Sequence, residues 1–182
     1  MPLLNSITTP YAEAFLQVSE ARGETDQAIS QARDLLSLWH GSDELRQALA
    51  SPVIEVEAKK ALIEKLFAAE LSPAFLNLLK LLADRQRIGF LDAVIGRLLE
   101  LYREQRGIAL VTVTSATPLN ADQQAEVAAK AKAIAGTEQV EISTATDPSL
   151  IGGFVLRVGS KVIDASLAGQ IRRLGLALAK VS

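Results

Sequence analysis

The hydrophobic repeat of this chain changes period once, at Gly107, and that change restricts the fold more than any other feature. Upstream, apolar residues recur at i, i+3, i+4 and i+7, the spacing of one face of a helix. Downstream they alternate, in runs rich in β-branched residues, as half-buried strands do. A uniform helical array and an all-β sandwich are both excluded. The pattern predicts an α+β protein, with a six-helix bundle over 1–106 and a small α/β domain over 107–182 carrying a short sheet and two helices.

In the first part Tyr11, Ala14, Phe15, Val18 and Ala21 share one face, with Pro10 suited to a first helical position after a Thr9 cap. A second helix carries Ala28, Ile29, Ala32, Leu35, Leu36 and Trp39 and stops at His40-Gly41. Ser42-Asp43 caps a short third, which Ser51-Pro52 ends. Ala58, Leu62, Leu66 and Phe67 mark a fourth, and Ser72-Pro73 opens a fifth with Phe75, Leu76, Leu79 and Leu82 as its apolar face. Leu91, Val94, Ile95, Leu98, Leu99 and Tyr102 form the sixth. Trp39 and the phenylalanines sit at core spacing.

Beyond Gly107 a strand over 108–115 places Val111, Val113 and Ser115 on one face. A helix follows over 121–135 behind Asn120, then strands over 139–146, 151–158 and 161–163, and an amphipathic helix over 167–180. The order suggests a small sheet with its helices on one side. So small a unit lies near the lower limit for an independent core.

Composition removes most catalytic chemistry. There is no cysteine and one histidine, His40, so thiolate metal sites, iron–sulfur clusters and cysteine nucleophiles are excluded and at most one imidazole base remains. A net charge of −2 gives no footprint for nucleic acid, and the sparse aromatics do not interleave with lysine and arginine. The charge is uneven, with 3 basic and 9 acidic residues in 1–58 but 5 basic residues and only Asp164 in 157–182. That basic end comprises Arg157, Lys161, Arg172, Arg173 and Lys180. The first basic residue is Arg22, so a basic leader is not expected, and the longest uncharged apolar runs fall short of the ~20 residues of a membrane span. The expectation is a soluble chain, or one held at a membrane by partners.

Two near misses point away from catalysis. Gly159-Ser160-Lys161 lacks the Gly-Lys-Ser/Thr order of a phosphate loop, and a strand rather than a helix follows it. Gly152 and Gly153 suit a bulge or a close backbone approach instead. Asp164 and Ser166 have no histidine in their own domain, and they fit the turn and N-cap of the last helix. No catalytic, cofactor or metal site is expected.

The run Asp147-Pro148-Ser149-Leu150-Ile151-Gly152-Gly153-Phe154, followed by Gly159-Ser160-Lys161-Val162-Ile163-Asp164-Ala165-Ser166-Leu167, resembles the signature of the δ subunit of F-type ATP synthases, the family of the mitochondrial oligomycin-sensitivity-conferring protein. Pro10-Tyr11-Ala12, Asp84-Arg85-Gln86-Arg87-Ile88 and Ser115-Ala116-Thr117-Pro118-Leu119 extend the match over essentially the whole chain. Gly169-Gln170-Ile171-Arg172-Arg173-Leu174 is similar to the cyanobacterial and plastid branch, and the missing transit peptide favours a bacterial or organelle-made chain.

The resemblance implies a non-catalytic stator subunit, one copy per complex, on the cytoplasmic or stromal face of a thylakoid or bacterial inner membrane. It implies that the bundle receives the N-terminal helix of a head α subunit in a groove between its first and fifth helices. Tyr11, Ala14, Val18, Leu76, Leu79 and Ala83 are the expected apolar surface there. The C-terminal domain is expected to meet the peripheral-stalk b subunits through Ile171, Arg172, Arg173, Leu174 and Leu178. Asp147, Pro148, Gly152, Gly153, Asp164 and Ser166 would be structural. An adaptor of another assembly and a small α/β enzyme are the rival readings.

Overall fold

The computed structural model describes residues 2–137 and 139–179, and its internal contacts divide the chain into two units, Met1–Tyr102 and Arg103–Ser182. Lys180, one of the basic residues singled out above, lies outside the described residues.

The first unit is built from α1 (Pro2–Ala21), α2 (Thr25–Gly41), α3 (Asp43–Ala50), α4 (Val56–Phe67), α5 (Pro73–Asp84) and α6 (Leu91–Arg106), whose last turn passes into the second unit. Local chemistry sets the breaks. Ser42 accepts the amide of Leu45, and Ser72 accepts that of Phe75, so both helices start on a side-chain cap. Gln31 of α2 fastens the turn before α5, donating to the Glu70 carbonyl at 2.9 Å and accepting the Ser72 amide at 3.1 Å. Ala12, Phe15, Ile29, Trp39, Ile63, Phe75, Leu82, Leu91 and Ile95 fill one core. Phe15 and Phe75 meet edge to face, with ring centroids 4.7 Å apart.

Helix α1 departs from the sequence expectation. It starts at Pro2 and runs through Pro10, which stands inside the helix and not at its first position. A proline removes one backbone donor from the ladder. The turn before it is tied by Thr8, a buried residue whose Oγ1 donates to the Leu4 carbonyl at 3.0 Å. The half-buried Leu4 and Ile7 continue the apolar pattern upstream of the proline.

The second unit holds β1 (Ala109–Ser115), α7 (Ala121–Ala135), β2 (Val140–Thr146), β3 (Phe154–Val158), β4 (Lys161–Asp164) and α8 (Leu167–Ala179). The sheet order is β2-β1-β3-β4. β1 pairs parallel with β2 across the α7 crossover, and antiparallel with β3, which forms a hairpin with β4. Val111, Val113, Leu156 and Val158 point to one face and are buried with Val127 and Ala131 of α7. A full capping box opens α7, Asn120 and Gln123 each accepting the other's backbone amide.

Candidate docking sites

In the first unit α1 and α5 lie side by side and leave an apolar groove of about 520 Å³ between them. Its α1 wall is Pro10, Tyr11, Ala14, Phe15 and Val18, with Arg22 in the turn just after the helix; its α5 wall is Ala74, Asn77, Leu78 and Leu81. Val18 and Leu81 are 42% and 43% exposed, and together with the other lining side chains they form a contiguous apolar surface. Near one end Arg87 donates to Tyr11 Oη at 3.0 Å and lies 5.8 Å from the ring centroid.

The structure places three of the six expected groove residues on this surface and three elsewhere. Tyr11, Ala14 and Val18 line the groove. Leu79 and Ala83 do not; each is only 1% exposed and belongs to the bundle core. Leu76 is half-buried against that core and is not part of the groove wall. The reason is the composition of α5. Phe75, Leu76, Leu78, Leu79, Leu81, Leu82 and Ala83 cover nearly its whole circumference, so spacing alone fits two faces equally well. The groove uses the stripe Ala74, Asn77, Leu78 and Leu81, which is also spaced i, i+3, i+4 and i+7. Polar Asn77, at the middle of an otherwise apolar row, is the signal that separates the faces.

In the second unit the motif residues form a clasp between the start of β3, the end of β4 and the first turn of α8. Asp164 Oδ1 accepts the Ser166 amide at 3.0 Å and its hydroxyl at 2.5 Å. Ser166 Oγ in turn accepts the Gly169 amide at 3.0 Å, as an N-cap does. These hydrogen bonds from Ser166, with smaller help from Arg173 and Arg172, hold the Asp164 carboxyl below the usual carboxylate range. Gly153 has φ +74°, and a Cβ on it would stand 2.3 Å from the Ala165 carbonyl oxygen. On Gly169 a Cβ would stand 2.3 Å from Asp164 Oδ2. Gly152 accepts the Leu167 amide through its carbonyl at 2.9 Å. Asp147 accepts the Ser149 amide at 2.9 Å, capping the short 3₁₀ turn Pro148–Leu150, and the Ser149 side chain first and its amide second hold the Asp147 carboxyl below the usual carboxylate range.

Past this clasp α8 is only lightly covered. It touches the rest of its unit chiefly through the Pro148–Leu150 turn. Ile171 and Leu174 are 60% and 65% exposed, and they continue one stripe from the exposed Leu167. Arg172 and Arg173 are exposed on the flanks, and Arg173 donates to the Asp164 carbonyl at 3.3 Å. Leu178 belongs to α8 by its backbone, and its side chain lies outside the described residues. Among the described residues no cluster of His, Cys, Asp or Glu is arranged to hold a metal ion. No described helix is long and apolar enough to cross a membrane.

A helical bundle followed by a small four-stranded α/β unit is a fold found in the ATP synthase. A chain in the cryo-EM structure of the Toxoplasma gondii mitochondrial ATP synthase hexamer matches with a TM-score of 0.75 at 21% identity, over 93% of this chain and 96% of that one. The family model "ATP synthase delta (OSCP) subunit" matches residues 7–178. An ATP synthase subunit delta of Prochlorococcus marinus is 67% identical over 182 residues, covering all of both chains. The organellar chromatophore subunit delta of Paulinella chromatophora is 61% identical over 181 residues, again covering both. The chain belongs to the ATP synthase delta (OSCP) subunit family, whose members are stator components.

Proposed function

We propose that this chain couples the catalytic head of an ATP synthase to its peripheral stalk, one copy per complex, carrying no chemistry of its own. The groove between α1 and α5 carries the reading. It is apolar, walled by one row of side chains from each helix, and its lips Val18 and Leu81 are exposed. Such a surface suits an amphipathic helix presenting anchors at i, i+3, i+4 and i+7, here the N-terminal helix of a head α subunit. Ala14 and Ala74 project only a methyl group each into the groove, so a guest backbone can approach closely.

At the other end of the chain, the exposed stripe of α8 supplies the surface for the stalk b subunits, with Arg172 and Arg173 orienting the approach. The chain is then a peripheral membrane protein through these partners, on the cytoplasmic or stromal face. A stator joint must outlast many turnovers, which calls for slow dissociation, roughly a standard ~1,600 Å² interface and nanomolar affinity, about −12 kcal/mol.

Calorimetric titration of the full chain with a peptide of the head α-subunit N-terminal helix tests the reading. Saturable one-to-one binding that Leu81→Asp weakens supports it. Absence of binding by the folded wild-type chain refutes the groove assignment.

A further inference from the structure

Two non-glycine residues among the described ones take a positive φ, Gln86 at +55° and Ile151 at +65°. Gln86 is unbranched and stands two residues past the end of α5. Ile151 is β-branched, and its ψ of −40° places it outside the left-handed helical region. It is the middle residue of a γ-turn, in which the Gly152 amide donates to the Leu150 carbonyl at 2.7 Å. A γ-turn of positive φ is rare and strained, and glycine would adopt it at far lower cost. The neighbouring chain enforces it. The Ile151 amide donates to the Pro148 carbonyl at 3.0 Å, the Gly152 carbonyl accepts the Leu167 amide, and Gly153 leaves no room for a Cβ beside the Ala165 carbonyl.

The Ile151 side chain is 66% exposed, so burial within its own chain offsets little of that strain. Leu167, which starts α8, packs over the next residue, Gly152, where a Cβ would stand 2.8 Å from Leu167 Cδ1. Ile151 therefore stands at the end of α8 from which Leu167, Ile171 and Leu174 run in steps of four and three, the spacing of a seam that packs along a second helix. All four side chains are exposed. The charge around them has one sign. Arg157, Lys161, Arg172 and Arg173 are exposed, and Asp164, the only acidic residue from 157 onward, is engaged by Ser166. A strained backbone that holds an apolar side chain in solvent beside such a seam matches a partner contact.

We propose that Ile151 is the end anchor of the α8 docking surface, and that its occupant is one partner helix whose apolar residues, also in steps of three and four, are flanked by carboxylates. This rests on the reading that the surface meets the stalk b subunits. From Leu167 to Leu174 the row is about 10 Å long, two turns of helix, and a fixed anchor off its end lengthens the contact. The partner helix lies along that row and buries Ile151, with the basic groups facing its carboxylates. The strain at Ile151 then serves binding and not folding.

The test uses the full-length chain and a soluble stalk b segment, with Leu174→Ala as the control for the α8 surface itself. Ile151→Ala and Ile151→Gly should each weaken binding at least about tenfold, chiefly through faster dissociation. Ile151→Gly should melt no lower than wild type and above Ile151→Ala, because glycine takes φ +65° without a Cβ penalty. The proposal fails if the b segment binds wild type and Ile151→Ala equally; a weakened Leu174→Ala then shows that the α8 reading stands without Ile151. If the b segment does not bind the wild-type chain, the stalk reading fails and this proposal with it. A glycine variant that unfolds, or melts well below wild type, shows that the side chain serves the fold and overturns the proposal too. So does self-association of the wild-type chain in sedimentation that Ile151→Ala abolishes, since a second copy is then the occupant.

Discussion

Asp164 and Ser166 bind each other twice, through the amide and the hydroxyl of Ser166, and the same hydroxyl then caps α8 by accepting the Gly169 amide. One carboxylate thereby positions the helix that carries the exposed Ile171–Leu174 surface.

The pair predicts an acid response. The folded-state pKa of Asp164 lies below its unfolded value, so its contribution is present above the usual carboxylate range, near pH 4, and disappears as pH falls through the folded value. Melting temperature followed from pH 7 downward should fall, and Asp164→Asn should flatten that slope. Asp147, lowered in the same direction by Ser149, leaves a residual slope in the variant. Ser166→Ala, at a buried cap, should cost about 1 kcal/mol in denaturant unfolding. An unchanged pH profile in Asp164→Asn contradicts the assignment.

Two glycines are predicted to be irreplaceable, and a third is predicted to be free. Gly153→Ala combines a positive φ with a Cβ 2.3 Å from a backbone oxygen, and should destabilise the chain by about 1–3 kcal/mol. Gly169→Ala should break the Asp164 clasp by contact with its carboxylate. Gly175→Ala, on the same helix as Gly169, meets nothing within 4 Å and should raise stability by up to about 1 kcal/mol. Chemical denaturation of the three variants, side by side, is the check.

On α5, neighbouring leucines are predicted to behave oppositely. Leu81→Asp alters the exposed lip and should leave the fold intact while weakening the α-subunit peptide strongly, as should Ala14→Asp, because a guest helix would bury the new charge. Leu79→Ala empties a core position and should cost about 2–5 kcal/mol of stability with little direct effect on peptide affinity in the folded fraction. Thermal melts and titrations on the same samples separate the two effects.

The α8 surface should divide its work between rate constants. Neutralising Arg172 and Arg173 together should slow association with soluble stalk b segments and flatten its salt dependence, since exposed ion pairs contribute only ~0.2–1 kcal/mol each. Leu174→Ala should act mainly on dissociation. Stopped-flow or surface-based kinetics at two ionic strengths distinguishes them; equal effects of both changes on both rates would contradict this division.

Most of the architecture was legible because its signals are local. Ser42, Ser72 and Asn120 each accept the amide three residues on, and the sequence spacing marks all three as caps. The alternation of Val111, Val113 and Ser115 gave the buried face of β1 directly. Pro10 misled because proline favours a helix start, while in the fold half-buried Leu4 and Ile7 and the Thr8 hydroxyl carry the helix past it. The groove was half legible. On α1 polar residues separate the faces, but α5 is apolar almost all round, and only packing decides that Leu82 goes inward and Leu81 outward.

The strand order β2-β1-β3-β4 also has a consequence in time. β1 is central, yet Ala109 pairs with Val140, Ser115 with Phe154 and Val111 with Val158, so every partner of that strand is made well after it. During synthesis the helices of the first unit leave the ribosome complete while the Val-rich β1 still has two open edges. A nascent chain cut short between β1 and β3 carries a finished bundle and a sticky strand together.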